Sequence, residues 1–337
     1  MPEWYDVLPE RDLSLSSRWP SEQFREELRA WCESHVGPVT SLEQRKLRGW
    51  ATVWRVTTAD GSWFAKQNCP GQIFEQPLMS VLARLAPHRV VPVTAESDGF
   101  LLTPDQGPTL RAGGGGLETW VRLAREAASL QRELVPHRSE LLAVGLTELT
   151  PHQAPGYLSA RVEQYAALPA DDPRRLQPDV ADRLRAHLPV VRRWAEQVAA
   201  LGLPLTLNHN DLHDNNVCDV DGRLLFFDFG DALATEPLGV LLVTLDVLAE
   251  HLGADRDDPR LWRVADAALE VWTDLVPAVQ LRRALPAALQ LGRLGRVESW
   301  VRCQPSMTDD QLAEWGPVAA AWLATLAADA PVGVTPR

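Results

Sequence analysis

Between Leu205 and Asp231 the chain reads LTLNHNDLHDNNVCDVDGRLLFFDFGD, and no other stretch limits the possible folds as sharply. Two short apolar runs, LTLNH and LLFFDF, flank a polar loop. Asp221-Gly222 separates NVCDV from RLLFFD, a two-residue β-hairpin signature. The polar residues His209, Asp211, Asn216 and Asp228 then fall at strand ends, on a rigid scaffold. Asn216 follows Asp211 by five residues and Asp228 comes twelve later, so closing the hairpin gathers three oxygen-bearing side chains around one point. That grouping suits phosphoryl transfer. One carboxylate, Asp211, can orient an attacking hydroxyl and take its proton. Asn216 and Asp228 offer the oxygen ligands that Mg²⁺ prefers. A polar turn between two core strands is the plain alternative.

H-x-D-x-x-x-x-N followed by D-F-G has the order and spacing of the catalytic and metal loops of kinases. The run His209-Asn210-Asp211-Leu212-His213-Asp214-Asn215-Asn216-Val217 resembles the HGDLHPGNV of the aminoglycoside phosphotransferase family, small-molecule kinases that include choline-kinase-like enzymes. Phe227-Asp228-Phe229-Gly230-Asp231-Ala232 resembles its IDFGDA. Asn210 replaces Gly and Asp214-Asn215 replaces Pro-Gly, departures that bear on loop conformation and acceptor geometry. Protein kinases carry Lys where His213 stands, and no A-P-E follows here. By motif the resemblance runs from Val39 to Ala232. It implies a bilobal, protein-kinase-like α+β fold, with a small antiparallel-sheet lobe and a mostly helical lobe. It implies ATP between the lobes, Mg²⁺ on Asn216 and Asp228, and Asp211 as catalytic base. The activity implied is transfer of the γ-phosphate to a hydroxyl of a small molecule: an aminoglycoside-like antibiotic, a sugar or an amino alcohol. A nucleotide-binding regulatory module without transfer is the alternative; a protein kinase is a third reading, opposed by His213 and the missing A-P-E.

Ahead of the loop, SEQFREELRAWCESHV carries Phe24, Leu28, Trp31 and Cys32 at helical spacing, and Gly37-Pro38 ends it. SLEQRKLRG, WATVWRVTTA and SWFAKQN then read as three antiparallel strands, the last two joined by a type I′ turn at Asp60-Gly61. Lys66 on the third strand matches the kinase lysine that holds the α/β-phosphates, and Glu75, opening the next helix, is its natural ion-pair partner. Gly49 and Thr52 are candidates to cover the phosphates. VVPVTAES and FLLTPD form a hairpin at Asp98-Gly99, whose second strand would enter the adenine-binding hinge. Thr103 and Asp105 are hinge candidates, since Pro104 has no N–H to give. Gly113 to Gly116 is no phosphate loop, because no G-K-[ST] follows; it reads as a flexible connection. The expected division is 1–38 as an N-terminal extension with a helix, 39–108 as the nucleotide-binding lobe, and 109–337 as the catalytic and acceptor lobe.

Composition narrows the remaining classes. The 337 residues carry a net charge of −12, which argues against nucleic acid as a partner. Residues 202–337 hold −10 of that charge. Such a half would attract a cationic acceptor, although ordinary solvated acidic helices give the same count. No apolar run is long enough to span a bilayer, and the polar, acidic start is no signal peptide. The 4 cysteines are scattered, consistent with reduced thiols in a cytoplasmic protein. Of 33 basic residues only Lys46 and Lys66 are lysines, so a retained lysine suggests a need for a compact charge. After Gly116 the text is helical, with loops near Ser139 and Pro151 and a kink at Pro189. Asp231 and Glu298 are candidate acceptor contacts. Arg282, Arg283, Arg293, Arg296 and Arg302 either hold an anionic acceptor group or pair with nearby acids. The oligomeric state is left open.

Overall fold

The structure is a computed structural model that describes residues 3–333; the outer ends of the expected 1–38 and 109–337 segments lie outside these residues. Ser21 caps the first helix, α1 (Glu22–Val36), by accepting the Phe24 N–H. Three strands follow, β1 (Ser41–Leu47), β2 (Ala51–Thr57) and β3 (Ser62–Asn68), then α2 (Glu75–Leu85), β4 (Ala95–Ser97) and β5 (Phe100–Pro104). All five strands form one antiparallel sheet in the order β1-β2-β3-β5-β4. One sheet face packs on α1 through Phe24, Leu28, Trp31, Val56, Ala65 and Leu102. Residues Leu78, Met79 and Leu82 of α2 join instead the larger core that runs through the helical part.

That part contains α3 (Leu110–Gly113), α4 (Leu117–Leu134), α5 (Arg138–Ala143), α6 (Ala154–Ala166) and α7 (Pro178–Ala199). Next come β6 (Thr206–Asn208), β7 (Val217–Val220), β8 (Arg223–Phe226) and β9 (Leu233–Thr235), and then α8 (Leu241–Leu252) and α9 (Pro259–Leu269). The last elements are α10 (Ala278–Cys303), α11 (Asp309–Trp315) and α12 (Pro317–Thr325). The mixed α+β architecture is the one expected. β7 and β8 form the hairpin turned by Asp221 (φ 51°) and Gly222 (φ 78°), both in the left-handed region a type I′ turn requires.

Several local expectations change. The β2–β3 connection is not type I′, since neither Asp60 nor Gly61 has positive φ; a four-residue loop is closed by the Thr58 N–H on the Gly61 carbonyl (3.0 Å) and the Asp60 N–H on the Thr58 hydroxyl. Only Ala95–Ser97 of VVPVTAES is strand, because Val91 donates its N–H to the Phe226 carbonyl and ties this segment to β8. The text around Ser139 is helical rather than loop. A further strand, β9, pairs with β6 immediately after the D-F-G segment. It holds both ends of the Leu205–Asp231 stretch together.

Candidate active site

β3 presents Lys66 between Val53 of β2 and Leu101 of β5. Its ammonium lies 2.6 Å from the Glu75 carboxylate of α2 and 2.5 Å from Asp228 across the cleft. Burial alone would lower the Lys66 pKa; Asp228 and Glu75 outweigh it and hold the pKa above the ordinary lysine range. Glu75 is buried, and the Asn68 side-chain amide also donates to it.

Asp228 stands in the left-handed conformation, φ 65° and ψ 58°. Such a backbone costs a non-glycine residue of the order of 1–3 kcal/mol and is kept where the surroundings fix it. Here it turns the carboxylate into the cleft toward Lys66. Burial would raise the Asp228 pKa, but Lys66, then Lys46, pull it well below the usual carboxylate range. His209 joins this loop to the preceding one: its Nε2 is 2.9 Å from the Phe227 carbonyl and its ring lies 4.6 Å from that of Phe229.

The loop after β6 places Asp211 and Asn216 side by side. The Asn216 amide donates to the Asp211 carbonyl (2.9 Å) and lies 3.4 Å from its carboxylate, and the residue lines the cleft described below. Asn210 explains the departure from Gly. Its φ is 63°, a region glycine enters without strain and asparagine tolerates. Its side chain then donates to the Asp231 carbonyl (3.0 Å) and the Ser299 hydroxyl (2.8 Å). The Pro-Gly replacements are anchored too, Asp214 on Arg111 (2.8 Å) and Asn215 on Thr109 (3.2 Å).

A cleft of ≈ 310 Å³ lies between the sheet and this loop. Apolar side chains from both sides, including Val53, Met79, Leu101 and Phe227, wall it; Lys66, Glu75, Asn216 and Asp228 stand at one end. A second recess, ≈ 130 Å³, opens beside Asp211 and is lined by Trp50, Gln72, Asp231, Arg296 and Trp300 among others. Lys46 and Lys66 border both spaces.

The structure brings together Lys66, Glu75, Thr103, Asp211, Asn216, Asp228 and Asp231. Other candidates move. The Thr52 hydroxyl stays in its hairpin, donating to the Lys46 carbonyl (3.3 Å) and accepting from the Trp54 indole (2.9 Å). Gly49 serves packing: a Cβ there would meet the Met307 side chain at 2.7 Å. The Asp105 N–H is spent on the Ser62 carbonyl (2.9 Å) and its carboxylate faces Arg55 at 3.1 Å. Gln106 and Gly107 line the cleft in its place. Glu298 is buried away from both spaces, accepting from Tyr157 (2.8 Å) and Arg161 (3.0 Å), because a carboxylate inside the helical core requires such partners.

Two contributors were marked only in general terms by the sequence, Lys46 as a retained lysine and Arg296 as one of five arginines that hold an anionic group or pair with acids. Lys46 follows a register shift in β1 that re-aims its side chain; its rarity as a lysine was the available signal. Arg296 of α10 donates to the Asp231 carboxylate (2.8 Å) and the Asn210 carbonyl (3.1 Å), and its guanidinium lies 3.1 Å from the Asp211 carboxylate. Burial alone would raise the Asp211 pKa; Arg296 and then His213 hold it well below the usual range.

The model of the phosphotransferase enzyme family that contains the aminoglycoside phosphotransferases matches residues 43–239, more than half of the chain, and takes in Lys66, Glu75, Asp211, Asn216 and Asp228 but not Arg296 or Trp300. The chain belongs to that family. Among solved structures, the ethanolamine kinase of Plasmodium vivax superposes with a TM-score of 0.59 at 12% identity, over 95% of this chain and 96% of that one. An amicoumacin kinase solved with AMP-PNP and Ca²⁺ gives 0.55 at 14% identity, over 93% and 96%. A spectinomycin phosphotransferase solved with ADP and spectinomycin gives 0.53 at 10%, over 91% and 95%. The fold of this family member is therefore the bilobal, protein-kinase-like one. No curated protein sequence matches the chain.

Proposed function

We propose that this protein is a small-molecule kinase that moves the γ-phosphoryl group of ATP to an alcohol. The observation that carries the proposal is the meeting of Lys66, Asp228, Asn216 and Asp211 at the junction of the ≈ 310 Å³ cleft and the acceptor recess. The apolar walls take the adenine. With Pro104 lacking an N–H and those of Asp105 and Gly107 spent on Ser62 and on the Asp105 carboxylate, the Gln106 N–H is the donor for the adenine edge. Lys66, steadied by Glu75, binds phosphate oxygens.

The donor set fits Mg²⁺: two oxygen-bearing side chains, Asn216 and Asp228, at a site whose remaining ligands come from phosphate and water. Mg²⁺ held there neutralises charge on the transferring group. Asp211 orients the acceptor hydroxyl and receives its proton as the new P–O bond forms and the bond to ADP breaks. Its low basicity suits orientation first and proton capture late, once the oxygen has lost electron density to phosphorus.

The test is ADP release with acceptor, beside Mg-ATP binding. Asp211→Asn is expected to lower kcat by about 10²–10⁴-fold while the Kd for ATP stays within about twofold. An unchanged kcat in a single-turnover measurement would remove Asp211 from this role. ATP binding with no ADP formed from any acceptor would favour the regulatory module.

A further inference from the structure

The recess beside Asp211 carries a charge arrangement that decides what can enter it. Three carboxylates face it, Asp211, Asp228 and Asp231. Each is already held by a cation of the chain. Asp228 pairs with Lys66 at 2.5 Å, and Asp211 and Asp231 share Arg296 at 3.1 and 2.8 Å. The second oxygen of Asp231 accepts from the Gln72 amide (2.8 Å). Lys46 adds a further positive charge, and among the described residues it makes no ion pair.

An amine-bearing acceptor needs a carboxylate that is free to replace its lost water. Here the charge of each is already matched, which leaves an ammonium only the Asp211 oxygen that Arg296 does not hold, and Arg296 is 7% exposed, packed under Trp322 and bonded to the Asn210 carbonyl. What the recess does offer is neutral. The indoles of Trp50 and Trp300 line it, set edge-to-face at 5.3 Å. The Gln72 amide and the Ser299 hydroxyl line it as well. Indole rings beside polar groups whose charges are already balanced suit a ring or short chain of hydroxyl groups. At ≈ 130 Å³, less than half the volume of the neighbouring cleft, the space takes one small unit rather than a multi-ring antibiotic.

We infer that the acceptor is a small uncharged polyol of the monosaccharide type, and that Arg296 is the residue that excludes amines by occupying Asp211 and Asp231. This rests on the phosphotransferase reading above. It replaces the cationic acceptor that the acidic second half of the sequence suggests: that net charge is counted over the whole segment, whereas the recess is balanced by its own cations.

The experiment uses matched pairs that differ by one hydroxyl against one ammonium: glucose against glucosamine, and ethylene glycol against ethanolamine. ADP release is followed with Mg-ATP, and Mg-ATP binding is measured in the same samples beside Lys66→Met. The expected result is a kcat/KM at least about tenfold higher for the neutral member of each pair that reacts. Arg296→Gln should move that ratio at least about tenfold toward the amine. Preference of the wild type for the amine members overturns the inference and leaves the phosphotransferase reading standing. Intact, Lys66-dependent Mg-ATP binding with neither member of any pair phosphorylated also overturns it. Failure to bind Mg-ATP at all overturns both. If Arg296→Gln does not fold, the wild-type ratios decide alone.

Discussion

Glu236 shows how strongly a single side chain here depends on its surroundings. It follows β9 and is buried, accepting the N–H groups of Leu238 (2.8 Å) and Gly239 (2.9 Å). Burial pushes its pKa up to about 7, although both backbone donors favour the ionised form. The folded state thus binds this proton more tightly than the unfolded chain. The resulting stabilisation is complete below the unfolded value near 4.5 and is lost as pH rises through about 7. At 1.36 kcal/mol per unit, the loss attributable to Glu236 is roughly 3 kcal/mol. Denaturant unfolding between pH 4.5 and 8 should show it, and Glu236→Gln should flatten that part of the profile. Asn210 belongs to the same scale and was partly legible: the resemblance places Gly there, and Asn is the side chain best able to keep a positive φ. Its bonds to Asp231 and Ser299 were not legible, because one of those partners comes from α10, far along the chain.

At the scale of elements, most of the text translated directly. Helical periodicity marked α1, α4, α6 and α7, and Asp221-Gly222 marked the β7–β8 turn. β9 escaped because three residues are too few to show alternation. The β1–β2 turn, a candidate phosphate cover by sequence, makes contacts that dock it on the helical part. Trp50 meets Trp300 of α10 at 5.3 Å and Trp315 of α11 at 5.5 Å, and Trp300 and Trp315 stack at 5.8 Å. Each such aromatic pair adds about 0.5–1.5 kcal/mol beyond its buried area. Trp50→Ala is expected to destabilise the protein by about 1–3 kcal/mol and to raise amide hydrogen exchange selectively in β1 and β2. Uniform exchange across the molecule would show that the turn is not held by this cluster.

Across the whole molecule, the sheet and the helical part meet through opposite charges at the cleft, Lys66 against Asp228. Mg-ATP would insert itself into that pair, placing phosphate on the lysine and metal on the carboxylate. Ligand that binds only the folded state at a hundredfold over its Kd stabilises by about 2.7 kcal/mol. Thermal unfolding should therefore shift upward by several degrees with Mg-ATP. Asp228→Asn should lose the part of the shift that depends on Mg²⁺ and keep any part that ATP produces with EDTA present. An identical shift in the variant would remove Asp228 from metal binding. The α+β class and the motif residues could be read in advance because each is local. The balance of charge in the acceptor recess could not, since it depends on which distant helix arrives beside Asp211.

That helix arrives late. Arg296 lies 85 residues beyond Asp211, and it is the cation against which both Asp211 and Asp231 are set. On a ribosome, where a chain emerges from its N-terminus onward, a nascent polypeptide displays every motif residue well before the guanidinium exists. Until then Asp211 and Asp231, on two loops that the β6–β9 pairing already joins, lack the cation that balances them. The charge balance of the recess is thereby deferred until α10 has been translated and packed.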